Sequence, residues 1–186
     1  MKKRTAFIGA ILSLMPLGQP LLIKTGISLV TLKTVILHSD WAIAESAEFY
    51  YKSGNEKYDS ENYKGALSDF SKAIKINPQY EDAYIERGNV KLDLKIYKGA
   101  LSDYSKAIKI NPQNGVAYYN RGLAKENLKD FDGALSDYSK AIKINPKDGD
   151  AYYGRGYAKE MLKDFNGALS DYTKATKLIP ENADLY

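Results

Sequence analysis

The apolar residues Ala134, Leu135, Tyr138, Ala141 and Ile142 fall at helical spacing, with Ser136, Asp137, Ser139 and Lys140 between them. That spacing gathers the apolar side chains into one stripe and predicts a helix over Phe131 to Lys143. A second run, Val116 to Leu128, predicts a partner helix just upstream. Asp130 stands where an N-cap acceptor is expected for the second helix. Pro146 follows that helix and bars its continuation.

The same pattern returns along the chain. Gly65-Ala66-Leu67-Ser68-Asp69-Phe70 recurs at Gly99 to Tyr104, Gly133 to Tyr138 and Gly167 to Tyr172, each copy 34 positions on. Ile76-Asn77-Pro78 recurs at Ile110 and Ile144, and then as Leu178-Ile179-Pro180. Asn62 and Asp164 hold the place of Asp130, whereas Ile96 is a poor cap and predicts a frayed helix start. Gly54, Gly88, Gly122 and Gly156 recur inside the first helix of each pair, where glycine costs about 1 kcal/mol against alanine. Their recurrence predicts close packing of the two helices, with Ala66, Ala100, Ala134 and Ala168 opposite. Ala73, Ala107, Ala141 and Ala175 are expected to meet the next unit.

A period of 34 with these small residues, aromatics and prolines resembles the tetratricopeptide family, whose unit is a helix–turn–helix. The resemblance covers residues 47–182. It implies an all-α, right-handed α-solenoid of four units at 47–80, 81–114, 115–148 and 149–182, behind a distinct leader at 1–44 and before a short tail at 183–186. It also implies a concave groove lined by the first helix of each unit. The groove positions implied are Tyr51, Asn55 and Tyr58, then Ile85, Asn89 and Leu92, then Tyr119 and Leu123, and finally Tyr153 and Tyr157. Glu126 and Glu160 add a carboxylate rim. Rings and amides of this kind suit an extended or helical peptide. The carboxylate-gripping branch of the family is not expected here, because Tyr51 stands in place of its lysine and Glu48 and Asp82 are acidic.

Two departures from the family stand out. Tyrosine replaces tryptophan at Tyr50, Tyr84, Tyr118 and Tyr152, and arginine replaces leucine at Arg87, Arg121 and Arg155. A charge in an apolar place needs a partner. Because the first unit carries Ser53 instead and has no unit before it, the expected pairs run between units: Arg87 with Asp69, Arg121 with Asp103, and Arg155 with Asp137. The same logic leaves Asp171 without an arginine. With no further unit on its outer side, the last unit is expected to expose apolar surface and to support weak end-to-end self-association or to take a partner at that end.

The formal charge of +4 does not point to nucleic acid. Lys2, Lys3, Arg4, Lys24 and Lys33 against Asp40 hold the whole excess, and the rest of the chain is neutral, without the clustered cationic field that such binding needs. The start at Lys2-Lys3-Arg4, the apolar run Ala6 to Leu17 and Ala42-Ile43-Ala44 resemble the three parts of an export signal cleaved after Ala44. An uncleaved membrane anchor, with membrane contact through this leader, is one alternative, and a cytosolic protein with a disordered N-terminus is the other. The expected location is accordingly an exported compartment or a membrane surface.

The chain has no cysteine and a single histidine, His38. Phosphate-loop and dinucleotide glycine motifs are absent. No catalytic residue, metal site or cofactor is therefore expected. Asp148 and Asp150 flank a turn but offer too few ligands for calcium. Lysines 72, 75, 106, 109, 140, 143, 174 and 177 read as a solvated outer face, with docking to an anionic membrane as the alternative. The function expected is a non-enzymatic scaffold that binds another protein or peptide, or else a structural spacer.

Overall fold

The computed structural model describes residues 46–179, which contain eight helices and no strand. They are α1 (Ala47–Asp59), α2 (Tyr63–Ile76), α3 (Glu81–Asp93), α4 (Tyr97–Ile110), α5 (Gly115–Asn127), α6 (Phe131–Ile144), α7 (Gly149–Met161) and α8 (Phe165–Leu178). Each helix packs on the next, and each odd-numbered helix also touches the following odd one. The odd helices thus form one continuous layer, which we call the inner face.

Local chemistry starts and stops these helices. Ser46, Asn62, Asn114, Asp130, Asp148 and Asp164 each accept a hydrogen bond from the backbone N–H three residues on. Ile96 makes no such bond, as its side chain requires, and neither does Tyr80. The second hairpin is therefore uncapped at both helix starts. Glu61, Lys95, Lys129 and Lys163 end the odd helices in the left-handed region, with φ between 58° and 67°. A left-handed residue after a helix frees the next N–H groups to bond back to its last carbonyls, as Asn62 N does to Lys57 O at 2.7 Å.

The glycines inside the odd helices do make room, but not for alanine. A Cβ on Gly54 would lie 2.6 Å from the Phe70 ring, and one on Gly88 or Gly122 would strike the Tyr104 or Tyr138 ring just as closely. Phe70, Tyr104 and Tyr138 are fully buried as a result. The reason is reach: an aromatic ring crosses the gap between paired helices and needs a flat, side-chain-free patch opposite, whereas Ala66, Ala100 and Ala134 fill the narrow space beside it.

The last hairpin is the exposed end of the described array. Leu169 and Phe165 are 66% and 65% exposed. Their counterparts in the earlier hairpins are half-buried. The leader, with Ala44 and His38, and the tail at 183–186 lie outside the described residues. Among the described residues, no helix is long and apolar enough to cross a membrane.

Candidate functional site

Four buried carboxylates organise the interior. Asp69, Asp103, Asp137 and Asp171 are each only 3% exposed. Arg87 does not reach Asp69. It closes a two-pronged pair with Asp103 of its own hairpin, Nε to Oδ2 at 2.9 Å and Nη2 to Oδ1 at 2.7 Å. Arg121 grips Asp137 and Arg155 grips Asp171 in the same way, each with a closest approach of 2.7 Å. The expected pairs between units are thus overturned, and Asp171 is not left over.

Geometry decides this. The Arg and Asp positions face each other across one hairpin, and a guanidinium fork matches a carboxylate only when both prongs point the same way. The link to the preceding hairpin exists but runs through serine: the third guanidinium nitrogen, Nη1, donates to Ser71, Ser105 and Ser139 at 3.0, 3.2 and 3.5 Å. Lys91, Lys125 and Lys159 complete each carboxylate from one turn further along the odd helix. These lysines went unnoticed in the sequence, although their recurrence at the repeat spacing was visible there.

The two departures from the family prove to be one device. The Arg87, Arg121 and Arg155 guanidinium groups lie over the Tyr84, Tyr118 and Tyr152 rings, 5.7, 5.5 and 5.4 Å from the centroids. A cation that replaces an apolar side chain is held by an acid on one side and a ring on the other. Among the described residues, no buried side-chain nitrogen or oxygen lacks a partner.

The inner face carries most of the expected groove residues, with one exception. Ile85 is only 6% exposed and belongs to the core with Tyr104 and Ala117. Leu92 and Leu123 also pack against core clusters and present only part of their surface. Tyr51 contacts the Tyr80 ring at 5.0 Å and the Phe70 ring at 6.0 Å. Tyr119 packs on Tyr138, Tyr153 on Tyr172 and Tyr157 on Phe131. Tyr153 is the most open of these rings, at 46% exposure.

Hydrogen bonds tie the odd helices to one another across this face. The Tyr58 hydroxyl of α1 donates to Asp93 of α3 at 2.5 Å. Asn89 Oδ1 accepts from both Tyr104 and Asn120, and its N–H donates to Glu86 at 3.1 Å. Asn89 is thus a knot in the face, with its oxygen already engaged, whereas the sequence suggested an amide reserved for a ligand. Glu126 and Glu160 accept from the Tyr138 and Tyr172 hydroxyls at 2.8 and 2.7 Å.

The electrostatics follow from that crowding. Burial, then the nearby Asp82 and Asp59 carboxylates, push the Glu86 carboxyl above its ordinary range, against the pull of its bond from Asn89. Burial raises Glu126 likewise, and raises Tyr119 to about 12. The outer lysines at 72, 75, 106, 109, 140, 143, 174 and 177 are all exposed, in keeping with a solvated face. Asp148 holds the N–H of Ala151, so it serves as a cap. Among the described residues, no cluster of acidic, histidine or cysteine side chains is suited to hold a metal ion.

Comparison with known proteins agrees with this architecture. Family models described as "TPR repeat" and "Tetratricopeptide repeat" match residues 54–95, 88–129, 115–148 and 149–182. No curated protein matches the sequence. Among solved structures, MamA superposes with a TM-score of 0.71 at 23% identity, over 83% of this chain and 89% of that one. The Arabidopsis OM64 TPR domain gives 0.60 at 27%, over 61% and 94%. The first TPR of Spaghetti (RPAP3), bound to the HSP90 peptide SRMEEVD, gives 0.62 at 23%, over 63% and 93%. A 34-residue period realised as four stacked hairpins, and matched by these models from residue 54 to residue 182, makes this chain a member of the tetratricopeptide repeat family.

Proposed function

We propose that the array is a non-enzymatic scaffold that holds a peptide segment of another protein against its inner face. The observation that carries this reading is the composition of that face. Tyr51, Tyr119, Tyr153 and Tyr157 present ring surface there, although packing alone would be served by smaller or fully buried side chains. Rings supply large contact area at low entropic cost, and such anchors dominate peptide binding. The related Spaghetti (RPAP3) domain was solved with a peptide bound, which supports the same use of the fold here.

Replacing Tyr153 and Tyr119 by alanine tests the reading. We expect peptide affinity to fall at least tenfold in titration calorimetry while helicity by circular dichroism is kept. Unchanged affinity in the folded double variant would overturn it. We further propose that the signal-like leader delivers this scaffold to an exported or membrane-associated complex. Intact mass of the protein from its native host, expected to start at Glu45, tests the cleaved form.

A further inference from the structure

We infer that the segment held by the inner face is cationic: a stretch in which lysine or arginine side chains alternate with apolar ones. This rests on the groove reading above and adds the sign of the charge. Asp59, Asp82, Glu86, Asp93, Glu126 and Glu160 all belong to the odd helices that form this face. None of them is ion-paired among the described residues. On the odd helices, the one ion pair that does not involve a buried aspartate joins Lys52 to Glu48 at 3.3 Å. Every other ion pair in the described array ends on Asp69, Asp103, Asp137 or Asp171. The remaining lysines of the repeats stand on the even helices, apart from Lys95, Lys129, Lys147 and Lys163 in the turns. Charge is thus sorted across the array, although its total is balanced.

The inner carboxylates are also held in place. Asp93, Glu126 and Glu160 each accept one tyrosine hydroxyl at 2.5 to 2.8 Å. A carboxylate has about four acceptor sites, so most of each remains for an incoming donor. Rings stand beside these acids, and an ammonium or guanidinium group between a ring face and a carboxylate gains from both. An acidic peptide would meet these unpaired acids as like charge. The preference is therefore opposite in sign to that of a groove that takes a peptide such as SRMEEVD, whose acidic residues outnumber its basic one.

The test uses the full chain and synthetic fluorescent peptides of one length and one apolar pattern. Their polar positions carry lysine and arginine, serine and glutamine, or aspartate and glutamate. By anisotropy, we expect the cationic set to bind at least tenfold more tightly than the neutral set, and to weaken as salt is raised. Glu86→Gln, Asp93→Asn and Glu126→Gln should each lower cationic affinity about threefold with helicity unchanged. If neutral or acidic peptides bind as well as cationic ones, and these variants change nothing, the sign of charge is wrong while the groove stands. If cationic peptides bind but the Tyr119 and Tyr153 variants do not weaken them, the site is elsewhere and both readings fall. Both fall too if no peptide of any charge binds.

Discussion

The first hairpin and the three that follow bury the same carboxylate and satisfy it with different residues. In the later hairpins one arginine donates to both oxygens of the aspartate, lies over a tyrosine ring and reaches the serine of the hairpin before it. The first hairpin divides those tasks. Ser53 donates to Asp69 Oδ2 at 2.8 Å, and Lys72 takes Oδ1 at 3.1 Å while lying 4.8 Å over the Tyr50 ring. Lys57 supplies the remaining bond, as Lys91 does for Asp103. The lesson is that the buried carboxylate is the constant, and its donors are whatever the neighbourhood provides. In each hairpin that carries the arginine, the hairpin before it offers a serine to the third guanidinium nitrogen.

Acid should undo both versions, with the largest effect of all. Burial alone would raise Asp69 and Asp171, but hydrogen bonds from Lys57, Ser53 and Lys72 in one case, and from Arg155 and Lys159 in the other, outweigh it and hold both carboxyls below the ordinary range. A depressed carboxyl contributes stability that is present above its unfolded value and lost as pH falls through the folded one. Glu86 and Glu126, which are raised, act in the opposite sense and protonate first. We therefore expect little loss of stability on mild acidification. Steep unfolding should follow below the ordinary aspartate range, and thermal melts across pH would check this. Coincident protonation and unfolding at higher pH would break the account.

Single substitutions separate the two versions further. Asp137→Ala removes the acid and strands Arg121, which should cost about 3–5 kcal/mol in urea denaturation. Arg121→Ser copies the first hairpin without its displaced lysine, and should cost about 2 kcal/mol, the worth of hydrogen bonds to a charged group. Lys72→Ala should cost about 1 kcal/mol, whereas Lys140→Ala, at the same place in the third hairpin, should be within about 0.5 kcal/mol of neutral. Equal effects at these two lysines would show that the division of labour is not real. The smallest effect is Ser53→Arg, expected within about 0.5 kcal/mol of the parent. In that background Lys72→Ala should become neutral, a coupling that a double-mutant cycle reads directly.

Much of this was legible from the sequence, and the misses share a cause. Period, helix positions and caps are local properties: Asn62, Asp130 and Asp164 cap as read, and Ile96 makes no cap, although its helix starts at Tyr97 in the same register as the others and is not shortened. The exposed apolar end at Leu169 and Phe165 followed from the lack of a covering unit in the described array. The arginine partners did not follow. A repeat presents each Arg with two chemically identical aspartates, one in its own hairpin and one in the hairpin before. The sequence carries no term that prefers either. The absence of arginine at Ser53 pointed to the wrong one, because Ser53 itself bonds Asp69 within its own hairpin. Ile85 shares the register of Tyr51, Tyr119 and Tyr153, but the structure places it in the core with Tyr104 and Ala117.

By itself, then, the sequence determined the repeat, the eight helices, the caps at Asn62, Asp130 and Asp164, and the need to give each arginine a partner. Each of these depends on residues within one unit, where spacing along the chain equals placement in space. Only the tertiary structure decided which aspartate each arginine meets, that aromatic rings lie against the glycines, and that Asp59, Asp82, Glu86, Asp93, Glu126 and Glu160 stay without an ion pair on the odd helices while the lysines there are paired. Those outcomes depend on how one helix layer is turned against the next. The packing of rings onto glycine fixes how the two helices of a hairpin meet, and that placement selects among partners that the chain itself presents as equals.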